Sequence, residues 1–275
     1  MSCDASSLST KDQEPPFEVV EGLPGSRLLI LCDHASNYVP PEFGSLGLSP
    51  AEFERHIAYD IGMRGVTLAL ARLLGAPAVL SRFSRLVIDP NRGEDDPTLL
   101  MRLSDGAVVP GNAKAGPDEI ARRVARFHRP YHDAISTQLD AIVDAGDTPV
   151  ILSMHSFTPA WKGAPRPWHV GLLWDRDDRL TRPLLEALGR EPGLIVGDNE
   201  PYDGALVGDT LHQHGTRRGF PHTLVEIRQD LVRDEAGQTE WALRFARLVP
   251  PLLELPETRR ITHYGSRAEI RRSKS

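Results

Sequence analysis

Apolar residues along this chain keep two rhythms, and each predicts a different element. Short, nearly unbroken apolar runs occur at Leu28–Cys32, Ala78–Ser81, Leu86–Ile88, Pro149–Met154, Val170–Trp174, Ile195–Val196 and Thr223–Ile227. They are too short for helices and fit buried strands. Between them the apolar positions step by threes and fours. The clearest case is Asp118–Ala145, where Ile120, Val124, Phe127, Tyr131, Ile135, Leu139 and Ile142 make one helical face. Pro130 falls inside that stretch and predicts a kink, and Gly146 ends it. Further helices are predicted from Ser49-Pro50 towards His56, from Asp60 to Leu74-Gly75, over Arg179–Arg190, and over Glu240–Val249, where Pro250 and Pro251 should stop it. Strands alternating with helices predict an α/β fold: a mainly parallel, mixed central sheet flanked by helices, in a single domain. The expected organisation is a loose polar arm over 1–24, the domain over 25–256 and a basic tail over 257–275. Residues 93–116 lack periodicity and read as a long loop of the kind that covers a site.

Composition narrows the function classes. A formal charge of −6 argues against nucleic acid as the partner. Two cysteines, Cys3 and Cys32, give no disulfide framework and fit a reducing compartment. The opening residues lack an apolar signal core and no run is long enough to span a bilayer, so a cytoplasmic location is expected. Glycine-rich phosphate-binding loops and a G-x-S-x-G elbow are absent.

The candidate chemistry sits where the strands stop. Three apolar runs end in Asp33-His34, His155-Ser156 and Glu226-Ile227. In open α/β sheets the carboxyl rim is where ligands bind. A catalytic zinc site takes three His or carboxylate ligands and keeps one position open. His34, Asp60 and His155 fit that description, with Glu226 as general base. The spacing forms no local motif, and buried structural histidines remain the alternative. Ser156 offers a metal-free hydrolase as a rival reading. The His128 and His132 pair, at i, i+4 spacing, suits either a metal or packing beside the site.

Several longer blocks go further. They are Asp33-His34-Ala-Ser, Ser84-Arg85-Leu-Val-Ile-Asp89-Pro-Asn91-Arg92, His128-Arg-Pro-Tyr131-His132, Ser153-Met-His155-Ser156, Asn199-Glu-Pro-Tyr202 and His222-Thr-Leu-Val-Glu226-Ile-Arg228. In these the chain resembles the N-formylglutamate amidohydrolase family, and through it zinc amidases and carboxypeptidases of the phosphorylase/hydrolase-like fold. The resemblance implies one divalent ion, zinc, on His34, Asp60 and His155, and Glu226 as base. It implies a small-molecule N-acyl amino acid as substrate, N-formyl-L-glutamate first. Arg85, Asn91, Arg92 and Arg228 would grip its carboxylates, since guanidinium groups match them bidentately, with Asn199 and Tyr202 at the rim. Asp-His-Ala-Ser and Val-Glu226-Ile-Arg228 depart from the histidine-degrading pattern, which leaves a different acyl amino acid open. A non-catalytic carboxylate-binding protein is the rival class.

Overall fold

A computed structural model describes residues 14–272. In chain order its strands are β1 (Phe17–Val20), β2 (Leu28–Cys32), β3 (Ala78–Ser81), β4 (Leu103–Ser104), β5 (Ala107–Val108), β6 (Val150–Phe157), β7 (Ala160–Trp161), β8 (Ala164–Pro165), β9 (Val170–Leu173), β10 (Val196–Asp198) and β11 (His222–Arg228). Seven of them form one sheet in the order β1-β3-β2-β6-β11-β9-β10, and β4-β5 and β7-β8 are small hairpins. The centre of the sheet, β3-β2-β6-β11, is parallel, while β1 on β3 and β9 on β11 run antiparallel. The sheet is mixed, as the pattern predicted.

Alternation along the strands sorts side chains between two layers. Leu28, Ile30, Val150, Leu152, Val225 and Ile227 face helices Met63–Leu74, Thr181–Gly189 and Glu235–Leu253. Leu29, Leu31, Ile151 and Leu224 face the other way, into a cluster with Tyr131, Ile135 and Leu139 of helix Arg129–Asp144. Fully burying one such aliphatic side chain contributes about 1.5–3 kcal/mol. On this second face the apolar positions give way to polar ones towards the carboxyl ends: Leu31 to Asp33, Ile151 to Ser153 and His155, Leu224 to Glu226.

Several predicted elements are corrected. Leu86–Ile88 is a buried turn, not a strand, because it fills two satellite clusters and Ser84 Oγ accepts from the Leu86 N–H at 3.2 Å. Pro130 does not kink a continuous helix. A π-helical turn over Val124–His128 comes first, and the proline sits in the first turn of the next helix, where its missing N–H costs nothing. Helix Glu235–Leu253 continues through Pro250 and Pro251, both on its exposed side. Residues 93–116 hold the β4-β5 hairpin and a short helix, Pro110–Ala113. In the expected arm, Phe17–Val20 pairs as an edge strand. In the expected tail, Arg267 donates to Asp175 Oδ1 at 2.9 Å and to Asp203 Oδ1 at 2.7 Å. Cys3 lies outside the described residues. None of the helices searched among the described residues is long and apolar enough to cross a membrane.

Candidate active site

The first two functional side chains arrive together. The loop after β2 carries His34, whose carbonyl accepts from the Asp60 N–H at 2.9 Å. Asp60 opens a turn that reaches helix Met63–Leu74 through Gly62, at φ 81°. Only glycine fits there, because a Cβ would stand 2.0 Å from the Val232 carbonyl oxygen. His155 comes from β6, in register with Glu226 on β11.

His34 Nδ1 lies 3.3 Å and His155 Nδ1 2.9 Å from the same oxygen, Asp60 Oδ2. One ligand atom from each of the three residues falls within 4.8 Å of the others, and all three residues are buried. Behind each ring stands a carboxylate: Asp89 Oδ1 is 2.7 Å from His34 Nε2, and Asp33 Oδ2 is 2.9 Å from His155 Nε2. A metal-ligating histidine commonly uses its second nitrogen in this way, which fixes the ring and raises its basicity. Asp33 is itself held by the hydroxyls of Tyr131 at 2.9 Å, Ser153 at 3.0 Å and Thr210 at 2.7 Å.

The charges favour a cation. Burial alone would raise Asp60 and Asp89, yet the neighbouring His34 holds both well below the usual carboxylate range, with His155 adding at Asp60 and Arg85 at both. Burial would lower His155, but its hydrogen bonds to Asp33 and Asp60 outweigh that and raise it to about 10. Three ionised carboxylates around two imidazoles suit a divalent ion, whose binding would release the proton. Glu226 lies apart from this network. It is 7% exposed, its Oε2 has no hydrogen-bond partner, and burial pushes it up to about 8. A buried carboxylate oxygen without a partner thus lines the same cavity as His34, Asp60 and His155. The residues present therefore fit a metal site.

His34, Asp60, His155 and Glu226 line a cavity of about 360 Å³. Of the predicted substrate contacts, Arg85, Asn91, Arg92 and Tyr202 are on its wall. Arg85 bridges Asp60 Oδ1 and Asp89 Oδ2, each at 3.3 Å, so it braces the ligands as well as facing the cavity. Arg92 donates to the Asn91 carbonyl at 2.8 Å, and Asn91 Oδ1 accepts from the Thr210 N–H at 3.1 Å. Arg228 and Asn199 are not on the wall. Arg228 donates to Asp230 at 2.8 Å and towards the carbonyls of Arg166 and Trp168, while Asn199 Oδ1 accepts from the Trp174 and Gly204 N–H groups. Ser156 lines the cavity, but its hydroxyl donates to the Ile61 carbonyl at 3.0 Å and both nitrogens of His155 face aspartates, so no triad forms. His128 and His132 hold the carbonyls of Arg92 and Pro90 at 2.8 and 2.9 Å, beneath the loop that carries Asp89.

Sequence reasoning gave no part in the site to Asp33 or Tyr131, nor to His56, whose Nδ1 is 3.4 Å from Asp60 Oδ1, and gave Asp89 only a loop-bracing pair with Arg85 or Arg92; the pair with Arg85 is present at 3.3 Å. Asp33 had a signal, since alternation from Leu31 turns it to the same face as His155.

The N-formylglutamate amidohydrolase family model matches residues 26–233. A solved gene product from Agrobacterium tumefaciens is 32% identical with a TM-score of 0.84, covering 90% of this chain and 98% of that one. A solved N-formylglutamate amidohydrolase from Ralstonia eutropha is 23% identical with a TM-score of 0.65, covering 86% and 99%. No curated protein matches the chain.

Proposed function

The chain belongs to the N-formylglutamate amidohydrolase family, and on that premise we propose that it performs metal-dependent hydrolysis of the amide of an N-acylated amino acid, with N-formyl-L-glutamate the first substrate to test. The observation that carries the reading is the convergence of His34, Asp60 and His155 with the unpartnered Glu226 in register beside them. His34, Asp60 and His155 would hold a divalent ion, zinc by the donor set of two imidazoles and one carboxylate. When bound, that ion supplies Lewis acidity towards a carbonyl oxygen and a lowered pKa for water.

The remaining work falls to this chain's own side chains. Glu226 Oε2 takes the proton from the attacking water as the new C–O bond forms. It then delivers that proton to the amine nitrogen as the C–N bond breaks, leaving the carboxylate of the acyl group and a free amino acid. Arg92 and Asn91 hold the substrate carboxylate. Asp33 and Asp89 keep the two imidazoles in orientation.

Glu226→Gln tests this. The variant should keep its metal and lose about two to four decades of turnover on the best N-formyl amino acid, the usual worth of a general base. Near wild-type turnover would remove Glu226 from the chemistry, and loss of metal would make it a ligand.

A further inference from the structure

Four arginines among the described residues are buried, and three of them are closed off by partners. Arg123 pairs with Glu119 at 2.7 Å, Arg179 pairs with Asp177 at 2.6 Å, and Arg27 is capped by the carbonyls of Thr148, Leu253 and Thr258. Arg166, 9% exposed, is different. One nitrogen, Nη1, makes all its side-chain hydrogen bonds among the described residues. They go to the Thr158 carbonyl at 3.3 Å and to the hydroxyls of Thr158 and Tyr202, each at 3.1 Å. Nε and Nη2 donate to nothing, and no carboxylate pairs with the group, among those residues. The guanidinium lies instead against three rings, 5.0 Å from the Tyr202 centroid, 5.5 Å from Trp161 and 5.6 Å from Phe157. Ring faces attract a cation but leave its charge in place. A buried charge that nothing neutralises is costly, and a ligand of opposite sign relieves that cost.

The surroundings of this cation point to the site. Thr158, Trp161 and Tyr202 line the cavity, and Arg166 stands directly behind them. Burial raises Glu226, and His155, Arg85 and Arg166 are charges that oppose it, so Arg166 is within electrostatic reach of the base. Tyr202 turns that charge into a contact. Its oxygen accepts from Arg166, which leaves its own proton to donate, and no acceptor for it is present among the described residues. Thr158 has no such freedom, since its hydroxyl donates to the Ala160 carbonyl at 2.9 Å. Two other arginines face the cavity. Arg85 is engaged by Asp60 and Asp89. Arg92, with Asn91, follows β3, whereas Arg166 precedes β9, and the sheet order places β2, β6 and β11 between those two strands. Positive charge therefore reaches the cavity from both sides of the strands that bear His155 and Glu226. Arg228, the expected clamp, is held by Asp230 instead.

We propose that Tyr202 and Arg166 form the subsite for a second carboxylate of the substrate: the Tyr202 hydroxyl donates to it, and Arg166, held behind the phenol, supplies the compensating charge. Arg92 and Asn91 keep the α-carboxylate. Tyr202 is the contact and Arg166 the positioning residue, and together they select an acidic side chain over its amide. This rests on the reading that the site acts on N-acyl amino acids.

The test separates binding from turnover. N-methanesulfonyl-L-glutamate and N-methanesulfonyl-L-glutamine resist hydrolysis and differ only at the end of the side chain. Their affinities for the zinc-loaded protein can be measured by titration calorimetry. A hydrogen bond to a charged acceptor is about twice as strong as one to a neutral acceptor, so the glutamate derivative should bind the wild type about tenfold tighter. Arg166→Met keeps a stem between the rings and removes the charge, and should bring that ratio to about one. Arg166→Lys keeps the charge and should restore most of the preference. Tyr202→Phe keeps the ring and removes the donor, and should lower the ratio to about threefold or less. An Arg166 that only packs would weaken both ligands alike in Arg166→Met and leave the ratio where it was. Equal binding of the two derivatives by the wild type, a ratio unchanged in Arg166→Met and Tyr202→Phe, or binding of neither derivative overturns the proposal. Formate release from N-formyl-L-glutamate and N-formyl-L-glutamine is read separately. Turnover of both at equal kcat/KM sinks the subsite and leaves the hydrolase; charge-selective binding without turnover of either does the reverse.

Discussion

Two histidine clusters lie on the same side of the sheet, and they are electrostatic opposites. His34 and His155 are surrounded by Asp33, Asp60 and Asp89. His132 and His214 stack with ring centroids 5.1 Å apart, bonded to each other at 2.8 Å, and His132 and His128 reach backbone carbonyls. Burial acts on both clusters alike. In the first, the carboxylates overturn it and raise His155 to about 10; in the second, nothing does, and His132 is lowered to about 3 and His214 to about 4. The lesson is that imidazole supplies only the donor atom. Neighbouring carboxylates decide whether a group of histidines suits a cation or simply wedges a loop.

The sharpest way to break that contrast is to remove one ring from each cluster. His155→Ala should lose the bound metal altogether, while His132→Ala should retain it, by elemental analysis of both preparations. Metal retained in the first or lost in the second would erase the distinction. A milder change tests the carboxylates alone. Asp33→Asn leaves the ligand in place but removes the charge behind it, and should weaken zinc affinity about 10–100-fold in a chelator competition. Unchanged affinity would make Asp33 a packing residue.

The loop wedged by the second cluster carries Arg92. Arg92→Ala should raise the Michaelis constant by about one to two decades, the worth of a charge-assisted hydrogen bond of about 1.5–3 kcal/mol. Arg228→Ala, whose guanidinium is held by Asp230 and carbonyls, should leave it within about threefold. Equal losses would mean that Arg92 acts only through the loop.

The smallest effect is on stability against pH. Unfolded histidines protonate as the pH falls through about 6.5, but His132 and His214 stay neutral in the fold until about 3 and 4. In that window the unfolded state binds more protons, so stability is complete above 6.5 and falls as the medium becomes acid. Each histidine contributes up to about 1.4 kcal/mol per pH unit. Urea unfolding at pH 7 and pH 5 should show a shallower dependence for His132→Gln than for the wild type. Identical slopes would mean that His132 titrates normally.

The same contrast explains what the sequence reveals. His34, His155 and Glu226 stood out because each follows an apolar run; a period of two turns His155 and Glu226 to the face of Leu31 and Asp33, whereas His34 reaches them from the loop after β2. Arg228 obeys that period too, yet it sits at the last residue of β11, where the chain turns and Asp230 captures it. Asn199 looked like a rim contact, but its side chain is consumed in shaping a turn at φ 52°. Loop residues answer to local backbone needs that no periodicity records. Leu86–Ile88 was misread for a related reason: an apolar triplet reports burial and not strand pairing. The β4-β5 hairpin is hidden because strands of two residues carry no pattern.

The hydrogen bond between the His34 carbonyl and the Asp60 N–H has a consequence for how the protein is made. Two of the three proposed ligands are tied together within one local segment, 26 residues apart. The third lies 95 residues beyond Asp60 and arrives only when β6 inserts in parallel beside β2. Such non-local pairing is slow, since a long loop must close before any contact rewards it. The three side chains are thus brought together only when the sheet closes, so that the assembly of the proposed site coincides with the completion of the fold.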